Sequence, residues 1–195
     1  MPLSDKESNW LAGLLGAGLA TFIGVTIYNG SQTISQYMSE ITLGLIKTDI
    51  DGINNPGNIE TSSIPWQGKI TPAGNTMEQF QNMWQGYRAF IDTLRSHYNR
   101  YGQNTLNLFF AGNSNGPGYA PGSVAGNNPA NEAAAAAKAA GISADDDLGP
   151  YLNNPSVLQN IVAGTAQFEQ GNTFTPNQAD IQMAMADLGI TGTTA

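Results

Sequence analysis

The sequence predicts a mainly α-helical protein in which a membrane-spanning helix precedes a helical body. Three observations predict this fold class. An uncharged stretch of membrane length lies near the amino terminus, apolar and aromatic residues recur at helical spacing in the middle of the chain, and no segment shows the alternation of a β-strand. We assign residues 1–30 to the membrane segment, 31–175 to the helical body and 176–195 to a carboxyl-terminal tail with a short helix.

The first predicted element is a membrane helix at residues 10–28. These residues carry no charge, and as a helix they would span about 28 Å, close to the thickness of the hydrocarbon core of a bilayer. Trp10 and Tyr28 stand at its two ends, where aromatic side chains prefer the headgroup region. A cleaved signal peptide and a buried helix of a soluble protein are the alternatives. The acids beside Lys6 disfavour the first, and the small size of the chain disfavours the second.

A stripe of small residues runs along this predicted helix. Small side chains let two helix backbones approach closely in lipid, so the stripe predicts contact with a second copy of the chain or with another membrane protein. The stripe repeats every four residues and consists of Ala12, Gly16, Ala20 and Gly24.

The body and the tail are predicted as a series of helices joined by turns. Asparagine, proline and glycine in residues 54–58 predict a compact turn. The spacing of apolar residues predicts an amphipathic helix over 77–101, which ends at Gly102. Shorter helices are predicted at 104–111, 133–140, 155–168 and 178–188, and a long loop is predicted at 112–130.

The composition excludes several classes of function. Acidic residues outnumber basic ones by 15 to 7, which gives a net charge of −8. A nucleic-acid partner is not expected, because few cations are present to neutralise phosphates. The chain has no cysteine, so thiolate metal sites and disulfides are excluded. The sequence has one histidine, His97, with no companion ligands in the sequence pattern, and we expect neither a metal site nor a cofactor.

A series of short motifs in one order carries a family resemblance. Over roughly residues 40–172, the series resembles phage and prophage proteins of the lysozyme-like superfamily, which cleave peptidoglycan and are virion-associated or act in lysis. The resemblance implies a lysozyme-like helical domain. The motifs are Asn54–Ile59, Trp66–Gly68, Gly86–Ala89, Tyr101–Thr105, Tyr119–Pro121 and Ala140–Ile142 with Asp145 and Asp146.

The resemblance implies cleavage of a glycan strand between its two amino sugars. This chemistry needs a carboxylic acid that protonates the glycosidic oxygen, and an apolar pocket raises the pKa of such an acid. In the related proteins the acid stands about fifteen residues before the turn motif, a position that Glu40 occupies here. Ile41 follows Glu40 where the relatives usually have glycine. The rival acids are Asp49, Asp51 and Glu60.

Substrate-binding residues are expected in the predicted turn and on aromatic side chains. The amides of Asn54, Asn55 and Asn58 are suited to hydrogen bonds with sugar hydroxyl and acetamido groups. Turn formation is their alternative role and the stronger prediction. Trp66 and Tyr119 offer flat faces for sugar rings, and a position in the core is the alternative for Trp66.

Three functions follow from these features. The first is a membrane-anchored enzyme with lytic-transglycosylase or muramidase chemistry, located in a virion or at the bacterial inner membrane facing the periplasm. The second is a structural virion protein that keeps the lysozyme-like scaffold without catalysis and assembles through its amino-terminal helix. A holin-like pore is disfavoured because only one membrane segment is predicted. The expected partners are peptidoglycan, a lipid bilayer, and further copies of the chain or other virion proteins.

Overall fold

The computed structural model describes residues 52–171 and 173–191. These residues belong to one compact unit. Most regular structure in the described part is helical, so the prediction of a mainly α-helical protein is confirmed. Within these residues no helix is both long enough and apolar enough to cross a membrane. The membrane segment predicted at 10–28 with its small-residue stripe, and the predicted acids Glu40, Asp49 and Asp51, lie outside the described residues.

Five helices and one small hairpin form the described part of the chain. Each predicted helix of the body has a counterpart, and the ends of most differ from the predicted ones. The elements are α1 (Met83–Tyr101), α2 (Leu106–Ala111), β1 (Gly112–Asn113), β2 (Gly116–Pro117), α3 (Pro129–Ala140), α4 (Pro155–Gln170) and α5 (Gln178–Asp187).

Helix α1 begins later than the sequence pattern predicts. The predicted start at Met77 was wrong, because Met77 pairs with Glu60 in an antiparallel β-bridge, and Phe80 pairs with Lys69 in another. Phe80 is fully buried. Phe80 lies in an extended segment, but its position fits the helical spacing of the apolar residues in α1. This coincidence moved the predicted start of the helix upstream of its true first turn.

The loop predicted at 112–130 contains the β1–β2 hairpin. Its two strands pair antiparallel and are two residues long, so they carry no alternation that a sequence pattern would reveal. The buried side chain of Gln103 holds the hairpin against the end of α1. Its Nε2 atom donates to the carbonyl oxygens of Gly116 and Pro117, at 3.1 and 2.8 Å.

Helices α3 and α4 pack closely because small residues meet at their contact. A Cβ atom on Gly164 of α4 would lie 2.6 Å from the Cβ of Ala139 and 3.1 Å from the backbone oxygen of Ala135. Such distances leave no room for a side chain. The two helices run antiparallel, since the middle of α4 lies against the second half of α3, while the end of α4 lies against the start of α3.

The core centres on aromatic side chains from α1, α2 and the segment after β2. Phe109 stacks on Tyr119 with a centroid distance of 5.1 Å, and Phe90 meets both rings edge-on. Helix α5 packs against α1 and α4 and is therefore part of the same body. The largest apolar side chains that α5 buries are Ile181 and Met185.

Candidate functional site

The asparagine turn (residues 54–58) is built by its own side chains. Asn54 has a left-handed φ of 57°, which asparagine tolerates better than most residues, and its Nδ2 atom donates to the carbonyl of Phe80 at 3.0 Å. Asn55 is buried. Its Nδ2 donates to the carbonyl of Ile59, and its Oδ1 accepts from the backbone N–H of Ile59, both at 2.9 Å. These amides form the turn, which is the alternative role that the sequence favoured.

Asn58 connects the asparagine turn to the end of α4. Its backbone also has a left-handed φ, of 53°. The Nδ2 atom donates to Oε2 of Glu169 at 2.9 Å, and the Oδ1 atom accepts from Nε2 of the buried Gln170 at 2.8 Å. Both ends of the Asn58 amide are therefore engaged with α4, and the turn is held directly against the carboxyl group of Glu169.

A second carboxyl group, that of Glu132 in the first turn of α3, faces Glu169. Glu132 is only 4% exposed, and the two carboxyl groups lie close enough to shift each other's pKa. Its Oε1 atom accepts from the backbone N–H of Asn128 at 3.4 Å. Its buried Oε2 atom has no hydrogen-bond donor in the described part when both carboxyls are ionised. A proton held by the pair is the donor that this oxygen needs.

The surroundings favour placing that proton on Glu169. Burial, followed by the nearby charge of Glu132, raises the pKa of Glu169 to about 7, against the opposing hydrogen bond from Asn58. Burial also raises the pKa of Glu132. Glu132 lies at the amino-terminal end of α3, where the helix dipole stabilises a negative charge, whereas Glu169 lies at the carboxyl-terminal end of α4, where it does not. At pH values just below 7 the pair thus favours one proton on Glu169 and one negative charge on Glu132.

Tyr119 contacts the asparagine turn from the side of the core. Its hydroxyl donates to the carbonyl of Gly57, and one face of its ring is covered by Phe109. Burial, with the charges of Glu169 and Glu132, raises the pKa of Tyr119 well above its ordinary value, so the hydroxyl stays a neutral donor. The role of Tyr119 as a platform for a sugar ring stays a prediction.

The other predicted site residues in the described part do not hydrogen bond to the carboxyl pair. Glu60 is exposed on the segment that follows the turn. Trp66 is half-buried and packs against the core, and its buried Nε1 atom has no hydrogen-bond partner among the described residues. The same part of the chain holds no group of three or more side chains of the types that ligate metals.

A groove of about 650 Å³ lies at the hairpin. Two residues of its lining, Gly118 and Pro121, stand on either side of Tyr119 in the sequence. No charged side chain lines the groove, and its polar groups come from asparagine, serine and backbone amides; the side chains are those of Asn113, Ser114, Asn115 and Ser123. Such a lining suits the hydroxyl groups of a neutral ligand.

The carboxyl pair was missed at the level of sequence. Glu132 and Glu169 are far apart along the chain, and only the antiparallel contact of α3 with α4 brings them together. One signal was present, since Glu132 opens a run of alanines that becomes a buried helix face, where an acid is unusual. No family model matches the sequence, and no curated protein matches it.

Proposed function

We propose that this chain cleaves the glycan strand of peptidoglycan and that Glu169 is its general acid. The observation that carries the proposal is the partly exposed carboxyl group of Glu169, whose pKa burial raises to about 7 and which is bonded to Asn58 beside the buried carboxyl of Glu132. Breaking a glycosidic bond requires an acid that protonates the leaving oxygen, and such an acid must still hold its proton at the working pH. The motif series that resembles the lysozyme-like phage proteins supports a polysaccharide as the substrate and a lysozyme-like fold for the body.

The proposed reaction is a proton transfer coupled to bond cleavage. The proton of Glu169 moves to the glycosidic oxygen, the bond from that oxygen to the anomeric carbon breaks, and the leaving sugar departs as an alcohol. The cation that forms at the anomeric carbon is captured either by water or by a hydroxyl group of the same sugar. The capturing group releases a proton, which returns to Glu169. Hydrolysis and anhydro-sugar formation both balance in this way.

Glu40 remains a prediction as a general acid, and one experiment distinguishes it from Glu169. Full-length protein is incubated with purified sacculi, and released muropeptides are quantified for wild type, Glu169→Gln, Glu40→Gln and the exposed control Asp145→Asn. We expect Glu169→Gln to lose about 100-fold or more of the rate, as for loss of a general acid. The control should match wild type.

Two results would contradict the proposal in different ways. If Glu40→Gln is inactive while Glu169→Gln keeps the wild-type rate, glycan cleavage stands and Glu169 is not the acid. If the wild type releases nothing from several types of peptidoglycan, the chain is not a glycan-cleaving enzyme.

A structural virion protein is the second candidate function. The hydrogen bonds of the asparagine turn favour this function, because the side chains of Asn54, Asn55 and Asn58 bond to the protein itself. In both functions, we propose that residues 10–28 anchor the protein in a lipid bilayer, in a virion or at the bacterial inner membrane facing the periplasm. The small-residue stripe would then mediate contact with further copies or with other virion proteins.

A further inference from the structure

We propose that Glu132 is a positioning residue that keeps Glu169 protonated through a carboxyl–carboxyl hydrogen bond made from the first turn of α3. The inference deepens the proposed function, since it rests on that function for the role given to Glu169. Sharing of a proton by the two groups is itself a property of the fold and can be measured without a substrate.

The position of Glu132 is fixed by the helix that carries it. The contact of Gly164 with the alanine face of α3 leaves no room for a side chain between the two helices, and Glu132 is 4% exposed. Its Oε1 atom is held by the backbone N–H of Asn128 at the start of the same helix. The carboxyl group of Glu132 is therefore buried next to Glu169 and not directed into solvent.

Among residues 52–171 and 173–191, no cation pairs with either carboxyl group. None of the ion pairs among the described residues includes Glu132 or Glu169. The titratable groups that act on this region are the two glutamates, the hydroxyl of Tyr119, which stays protonated, and the more distant carboxylate of Glu60. Two buried negative charges without a cation are costly, and binding one proton removes that cost.

The hydrogen bonds of the site leave a place for the proton on Glu169. Asn58 donates to Oε2 of Glu169, which leaves Oε1 free to carry the hydrogen. When Glu169 gives up its proton, the pair carries two negative charges, and a proton is rapidly regained. Glu132 would thus return the acid to its active form after each turnover.

The first test is a titration of the glutamate carboxyl carbons by NMR on the full chain. We expect the pKa of Glu169 in Glu132→Gln to fall by about one pH unit or more, because the charge of Glu132 is removed and the new amide can donate to Glu169. Asp145→Asn should leave the titration of Glu169 unchanged. An unchanged titration in folded Glu132→Gln would overturn the proposal.

A reciprocal variant keeps the test decisive if Glu132→Gln does not fold. In Glu169→Leu the pKa of Glu132 should rise, because the hydrogen bond from protonated Glu169, which lowers that pKa, is lost. If the titration of Glu132 does not change, the two carboxyls do not share a proton and the proposal fails.

The pH dependence of sacculus cleavage separates the positioning role from the proposed function. If Glu169 is the acid, Glu132→Gln moves the alkaline limb of kcat/KM to lower pH by the same amount as the titration. A change in the titration without a change in the pH profile keeps the positioning role and removes Glu169 as the acid. A merely structural role of Glu132 would lower the rate equally at all pH values, with no change in the titration.

Discussion

The α-carbon of Gly86 on α1 lies directly against the backbone carbonyl of Asn54. A Cβ atom at this position would be 2.1 Å from that oxygen and 2.7 Å from the Cδ atom of Pro56. Both neighbours belong to the backbone or to a closed ring, so neither can move aside cheaply. The asparagine turn and the Gly86–Ala89 motif are therefore the two sides of a single contact, although they are separate in the sequence.

We predict that Gly86→Ala destabilises the protein by about 2–4 kcal/mol, because the new methyl group forces the turn away from α1. The measurement is the free energy of unfolding from denaturant titration. The matched control is Gly122→Ala, whose added Cβ would meet Pro129 at an ordinary contact distance of 3.6 Å. Equal stabilities of the two variants would show that the turn does not need this close approach.

The carboxyl pair makes stability depend on pH. The unfolded chain loses the proton of Glu169 near the ordinary glutamate pKa of 4.5, whereas burial and the charge of Glu132 raise the pKa in the folded state to about 7. Stability from this proton is full below about pH 4.5 and is lost as pH rises to about 7, by on the order of 2–3 kcal/mol. Unfolding of wild type and Glu169→Gln at several pH values measures it. The stability difference between the two proteins should change steadily from pH 5 to pH 8, and a constant difference would contradict the prediction.

His97 should make stability depend on pH in the opposite sense to Glu169. Burial lowers its pKa, and the hydrogen bond to Gln103, at 2.6 Å between Nδ1 and Oε1, opposes this. Below the ordinary histidine pKa the unfolded chain binds a proton that the folded chain does not, so this contribution to stability is lost as pH falls.

Because Nε2 of Gln103 donates to the hairpin, its Oε1 must accept, and neutral His97 carries its hydrogen on Nδ1. NMR of the ring nitrogens should show the Nδ1–H form; the Nε2–H form would contradict it.

The membrane prediction is checked by fractionation. Full-length protein expressed in bacteria should stay in the membrane pellet after carbonate extraction, and deletion of residues 1–30 should move it to the supernatant. Gly16→Leu should weaken self-association in detergent, because a large side chain keeps two helices apart. Leu14→Ala is a matched control away from the stripe. Extraction of the full-length protein by carbonate would contradict a spanning helix.

The sequence predicted local elements better than contacts between them. Helical spacing and helix propensity predicted the five helices of the described part, and asparagine with proline located the turn at 54–58. The start of α1 was wrong because Phe80 is buried from an extended segment, and β1 with β2 was missed because two-residue strands have no period. The carboxyl pair depends on the packing of α3 with α4, which no local pattern encodes.

Because α3 and α4 pack closely, the alanine run of α3 affects how the carboxyl pair holds its proton. The spacing of the two helix axes at Gly164 sets how near the two glutamates lie at the other end of the same contact. A bulky residue in the run would push the helices apart, let water between the carboxyl groups and return each to the acidity of an ordinary side chain. Residues with no reactive atoms would thereby control how strongly the protein holds a proton.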